Sequence, residues 1–254
     1  MDLALEARLK SRKKGIIMVQ RHSIILWRKA EEKDKSFEEI STEAYEVLNL
    51  LQDYPQELRP NYLTANTKKD IQRFDWNYEN FSNVLKKGIN KEGKNTFEDL
   101  GYSISFFSSM NEEDSCSFQM RAGNKNEKFF NTLIINLSLS LNLYDEKTAE
   151  EINNLFEKLV QAYIPHWGCV SNKVLSRKYG KFLEGNLPTT VHWINYWSED
   201  IISTIGMARI QKIIDKNLGV SFKNGILSIK NTALNMDKED DIRFHDEMQK
   251  QLFL

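Results

Sequence analysis

Between Leu100 and Leu141 the chain alternates apolar and polar residues three times over, in "LGYSISFFSSM", "SCSFQMRAG" and "NTLIINLSLSL". In the first of these Tyr102, Ile104 and Phe106 fall on one side, and Ser103, Ser105 and Phe107 on the other. A period of two sends successive side chains to opposite faces of a pleated strand, so each segment reads as a half-buried antiparallel strand. The polar "NEED" at 111–114, between the first two, has the length of a hairpin connection. A chain with three such neighbours in its middle has to build an antiparallel sheet and cover one face of it.

The covers are legible as helices. Ser36 and Glu39 form a capping-box pattern, and Phe37, Ile40, Ala44, Val47, Leu48 and Leu51 follow on one arc at helical spacing. Asp75–Gly88 reads as a second helix. Asp145–Tyr163 reads as a third, with Ile152, Leu155, Phe156 and Leu159 as its apolar stripe. "LPTTVHWINYWSEDIISTIG", Leu187–Gly206, reads as a strand with aromatic residues on both faces, leading from Ser198 into a helix that runs to about Asn217. Asn224-Gly225 marks a two-residue hairpin, and a charged helix spans Asp237–Phe253. "GIIMVQRHSIILW" suits one long strand or a hairpin with a polar turn, and "HWGCVS" and "ELRPNYLTA" suit short strands, the latter confined by Pro60 to an edge or a strand start.

Hairpins are frequent and regular strand-helix-strand alternation is missing. The expected class is therefore α+β: a largely antiparallel sheet with four or five helices, forming a single domain over 15–254 after a basic helix over 1–14. Sheet followed by helix occurs in both halves, which leaves room for a diverged duplication.

Composition narrows the function classes. With 41% hydrophobic and 11% aromatic residues the chain can bury a substantial core. Its 35 Lys+Arg against 36 Asp+Glu leave a formal charge of −1, so no overall basic field exists to hold a nucleic-acid backbone. No stretch approaches the roughly 20 apolar residues that cross a bilayer. Two cysteines and no apolar leader at the start make a reducing cytosol the simplest expected compartment.

Glycine-rich phosphate loops and a G-x-S-x-G elbow are absent from the sequence. His166 and Cys169 make an H-x-x-C pair, with Cys116 and His192 elsewhere, but one pair is half of a zinc signature. Two buried, inert cysteines are the expectation, with a Cys169–His192 dyad conceivable if their strands adjoin. Arg209 stands among Ile202, Ile205, Gly206, Ile210 and Ile213 on a helical wheel from Ser198, so it is expected to reach a carboxylate, a carbonyl or solvent. Two acidic segments complete the candidates: Glu112, Glu113 and Asp114 at the hairpin tip, and Asp237, Glu239, Asp240 and Asp241 before the last helix. Each reads first as a solvated charge run, and otherwise as a contact surface for a basic protein.

Taken in order, "LRPNYL", "GYSISFFSS", "SFQMRAG", "TLIINL" and "PTTVHWINYWS" before Ile205-Gly206 resemble the immunity protein 52 family of bacterial toxin systems. That resemblance covers most of the chain but not its basic start. It implies an α+β cytosolic protein that binds and neutralises a cognate toxin, often an enzyme such as a nuclease, without doing chemistry itself; no cofactor or metal is expected. The two acidic segments are then the expected contact surface, because a nuclease presents a basic groove. Two other classes remain at this stage: a phage- or mobile-element-encoded inhibitor of a bacterial defence enzyme, and an enzyme with a site around His192, Trp193 and Arg209.

Overall fold

The computed structural model describes residues 20–31, 33–179, 183–184, 187–217 and 219–253. The expected basic helix over 1–14 lies outside them. In chain order the elements are β1 His22–Arg28, α1 Phe37–Asn49, β2 Tyr62–Leu63, α2 Tyr78–Lys87, β3 Tyr102–Phe107, β4 Ser117–Ala122 and β5 Asn131–Asn136. There follow α3 Glu146–Tyr163, β6 Trp167–Asn172, α4 Lys173–Tyr179, β7 Ile194–Trp197, α5 Glu199–Ile205, α6 Met207–Lys216, β8 Ser221–Lys223, β9 Ile226–Ser228 and α7 Glu239–Phe253. Two short ribbons, Lys91–Glu92 with Asn95–Thr96 and Leu183–Glu184 with Leu187–Pro188, stand apart.

All nine numbered strands join one sheet in the order β8-β9-β7-β6-β1-β5-β4-β3-β2, with every neighbouring pair antiparallel. The α+β reading therefore holds, with seven α-helices among the described residues rather than four or five. The three alternating segments became β3, β4 and β5, and Pro60 lies two residues before the first residue of the edge strand β2. β1 lies at the centre, between β5 and β6. His22 and Ser23 belong to that strand, Ser23 pairing with Asn136 and Ser171, so they do not form a polar turn.

A central strand is covered on both faces, and the sequence "IILW" serves both. Ile24 and Leu26 join Phe106, Phe118, Leu133 and Ile135 beneath Leu48 of α1, Phe81 of α2 and Phe156 of α3. Ile25 faces the other way with Trp167, Cys169, Trp197 and Leu227, beneath Ile201 of α5, Ile210 and Ile213 of α6, and Met248 of α7. Side chains of this size stabilise by about 1.5–3 kcal/mol each when fully buried. α1 begins as its sequence predicts: Ser36 Oγ accepts from the Glu39 N–H while the Glu39 carboxylate accepts from the Ser36 N–H.

Two departures from the sequence reading have local causes. The helix expected from Ser198 to Asn217 breaks at Gly206, whose φ of 92° leaves the helical region, and this resets the phase of α6 relative to α5. Ser198 precedes α5 as expected, but its hydroxyl bonds His166 Nδ1 instead of capping the helix.

The strand expected across "TTVHWINYW" begins only at Ile194. Upstream of it, α7 supplies the partners that a neighbouring strand would have supplied. Gln249 Oε1 accepts from the Val191 N–H at 2.8 Å, Gln249 Nε2 donates to the Thr189 carbonyl at 2.7 Å, and His245 Nε2 lies 2.9 Å from the Val191 carbonyl. Asn195 then closes a turn, accepting from the His192 N–H and donating to the His192 carbonyl, both at 2.8 Å. Alternation is lost there: Trp193 and Ile194 both enter the core that holds Leu26, whereas Val191 enters the other. Val191 is wholly buried, so Gln249→Ala strands its N–H away from water. The expected loss is about 2 kcal/mol in urea unfolding, whereas Lys250→Ala, on the exposed side of the same helix, should change stability by less than about 0.5 kcal/mol.

Candidate functional site

Antiparallel pairing decides which loops meet. Ser23, Asn136, Ser117, Phe107 and Tyr62 are register partners across the sheet, and His22 pairs with Asn172. The connections leaving these residues emerge at one end: the β3–β4 tip, the 137–145 segment, and the 229–238 segment that follows β9. Hydrogen bonds tie them together. The Glu113 carbonyl accepts from Ser138 Oγ at 2.8 Å and from the Leu139 N–H at 3.1 Å. Further along, the Ala233 N–H donates to the Leu143 carbonyl at 3.0 Å. Gln20, just before β1, receives bonds from Asn172 Nδ2 and from the Met236 N–H.

The two acidic segments, far apart in sequence, thus flank one loop at one end of the sheet. Glu112, Glu113, Asp237, Glu239 and Asp240 are exposed and Asp114 is half-buried, with Asn111 donating to its carboxylate. Asp240 is paired with Arg243 on the surface. Asp241 is placed differently from the rest. It is buried, accepts from the Asn235 N–H at 2.7 Å and pairs with Lys230, so it fixes the start of α7. The rim also includes two residues that the sequence reading did not single out. Asp145 caps α3 through the Thr148 N–H at 3.0 Å, and that bond lowers its carboxyl below the usual range. Glu57 lies beside Asp114 across a shallow cavity. Glu57 stands alone and Asp145 reads in sequence only as a helix start, so the strand order is what places both on the rim. Lys147, Lys173 and Lys238 are cations of the same end.

The residues considered for catalysis are dispersed. Trp193 is in the core with Leu26 and donates its indole N–H to the Lys230 carbonyl at 2.9 Å. His192 is wholly buried against Trp167, their ring centroids 6.1 Å apart. Burial first, and the nearby His245 second, push its pKa down to about 3. Arg209 is exposed on α6, and its Nη1 donates to the Leu252 carbonyl at 2.9 Å. A cation at the last carbonyls of α7 also suits the helix dipole. The expectation that Arg209 meets a carbonyl holds, while the apolar arc drawn around it fails because Gly206 shifts the phase. Arg209→Met should lower stability by about 1 kcal/mol in thermal unfolding.

Cys116 and Cys169 are buried on opposite faces of the sheet, in separate cores. Burial pushes the Cys116 thiol up to about 12 and the Cys169 thiol well above its ordinary value, so both stay protonated at neutral pH. Cys169 pairs in register with Asn195 and not with His192. Among the described residues, no group of three His, Cys, Asp or Glu side chains is arranged to hold a metal ion, and no helix is long and apolar enough to cross a membrane.

Among solved structures, the Pseudomonas aeruginosa T6SS protein PA0821 is similar to this chain. The two align with a TM-score of 0.60 and 9% sequence identity, over 99% of this chain and 83% of that one. The shared property is the fold. No family model matches the sequence, and no curated protein matches it.

Proposed function

We propose that this chain is an immunity protein that binds and neutralises a cognate bacterial toxin through the acidic end of its sheet. The observation carrying the proposal is the convergence of Glu112, Glu113, Asp114, Asp237, Glu239 and Asp240 on one rim. A rim of this kind attracts a basic surface over several ångströms and rejects partners of like charge. The role asks for a rigid scaffold and a complementary surface, without a reaction centre, and the scaffold is present as one continuous sheet with two cores. The sequence resemblance to the immunity protein 52 family points the same way. A fold shared with a protein described as belonging to a T6SS is compatible with it. In this reading the protein works in the cytosol, where it meets the incoming toxin, and it needs no cofactor.

Co-expression tests the proposal. The toxin encoded beside this reading frame should arrest growth alone, be tolerated when this chain is supplied, and copurify with it. Failure of both rescue and copurification would remove the reading. Arg209→Met should rescue fully in this account, since the guanidinium serves only α7, whereas an enzyme built on Arg209 would lose its function while remaining folded.

A further inference from the structure

The sheet is covered unevenly. One face of β3, β4 and β5 lies under α1, α2 and α3. On the other face, the strand residues buried under α5, α6 and α7 come from β1, β6, β7 and β9. The side chains that β2–β5 send to this second face stay at the surface: Ser103 and Gln119 are exposed, and none of the rest is buried. Antiparallel register lays them out in rows across the strands. Tyr62 and Phe107 open the row nearest the acidic rim, their rings stacked with centroids 5.3 Å apart, and Ser105, Gln119 and Ile134 make the next.

The composition of this surface points to a protein partner. Among the side chains that β2–β5 turn this way Arg121 alone is charged, in a chain of which 28% is charged. Loss of Lys, Asp and Glu with Tyr, Phe and Arg retained is the composition of an interface centre. Arg121 is half-buried and meets no carboxylate among the described residues, so an incoming carboxylate can pair with it. The surface is also continuous with the rim, whose loops leave from the row of Tyr62 and Phe107. A stable interface takes about 20–30 residues from each side, more than the carboxylates of the rim supply. We infer that the toxin binds across this corner, with its basic residues on the rim and an uncharged, partly apolar surface seated on the open face of β2–β5, a carboxylate toward Arg121. The inference rests on the toxin-binding reading and adds which surface becomes buried, an addition that can fail while the reading stands.

Gln119 provides the test, because it is exposed in mid-strand and its replacement leaves both cores untouched. The probe is the toxin encoded beside this reading frame, and its dissociation from the full chain is followed by surface plasmon resonance. A charge of either sign buried without a partner weakens binding. Gln119→Glu and Gln119→Lys should therefore each speed dissociation by about 10- to 100-fold, at low and high salt alike, and Arg121→Gln by about tenfold. Thermal unfolding reports whether each variant is folded, and Ser103→Glu, also exposed, serves if a Gln119 variant melts early. Opposite effects of Glu and Lys would mean that Gln119 only senses the field of the rim, and unchanged dissociation in both would mean that the face stays in water. Either result overturns the inference and leaves the toxin-binding reading intact, whereas absence of any complex with the native chain removes both.

Discussion

Moving from pH 7 to pH 5 should cost this fold about 4 kcal/mol, an effect larger than that of most single substitutions. The main cause is two imidazoles kept neutral inside the protein, and burial holds a third, His245, below its ordinary value as well. His22, 3% exposed in the central strand, is pushed down to about 4 by burial, opposed by its bond to the Gln20 carbonyl. His192, wholly buried, is pushed down to about 3. In the unfolded chain both take up protons below about pH 6.5. The stability gained by holding them neutral is therefore complete above that value and is lost as the pH falls toward their folded values. At pH 5 each contributes about 2 kcal/mol of the loss, being about 1.5 pH units below the unfolded value at about 1.4 kcal/mol per unit. The lowered carboxyls of Glu39 and Asp145 titrate below this window. Urea unfolding at the two pH values measures the difference, and His22→Gln should remove about half of it. A stability unchanged between pH 7 and pH 5 would show that neither histidine is buried as described.

What the sequence made legible was local. Alternation located β3, β4 and β5 because a half-buried strand writes its two faces directly into a period of two. Ser36 with Glu39, and Asn224 with Gly225, are short-range patterns whose backbone geometry follows from the residues themselves. Both residues of that turn have positive φ, 52° and 78°, as a tight hairpin requires. Three features escaped, two because they depend on partners distant in sequence and one because a single glycine decides it locally. β1 lies in the middle of the sheet, which no property of "HSIILWR" dictates beyond its being apolar on both faces. β7 is short because Gln249 and His245, more than fifty residues later, take the hydrogen bonds of Thr189 and Val191. α5 and α6 are separate because Gly206 can leave helical space, and a glycine within a helical pattern leaves both outcomes open. The candidate surface shared this fate. Its acidic segments were visible as charge runs, but their convergence follows from strand order, and Asp241 was drawn inward by Asn235 and Lys230.

That convergence is what a charge reversal examines. Glu112, Glu113 and Asp237 are exposed, and the fold uses the Glu113 carbonyl and the Asp237 N–H rather than their side chains. Replacing all three by lysine changes the local charge by six units while disturbing stability little, by about 0.5 kcal/mol or less at each site. Association with a basic toxin should slow by about 10- to 100-fold at low ionic strength, with a smaller effect on dissociation. Physiological salt, with a screening length of about 8 Å, should narrow the gap.

The most direct test of the account follows the association rate constant of the purified toxin with this chain by stopped flow, from low to high ionic strength. The account predicts a rate that falls steeply with added salt for the native chain, and a slower, nearly salt-independent or rising rate for the Glu112→Lys, Glu113→Lys, Asp237→Lys chain. Identical rates and identical salt dependence for the two would contradict it, and would place the toxin on another face of the sheet.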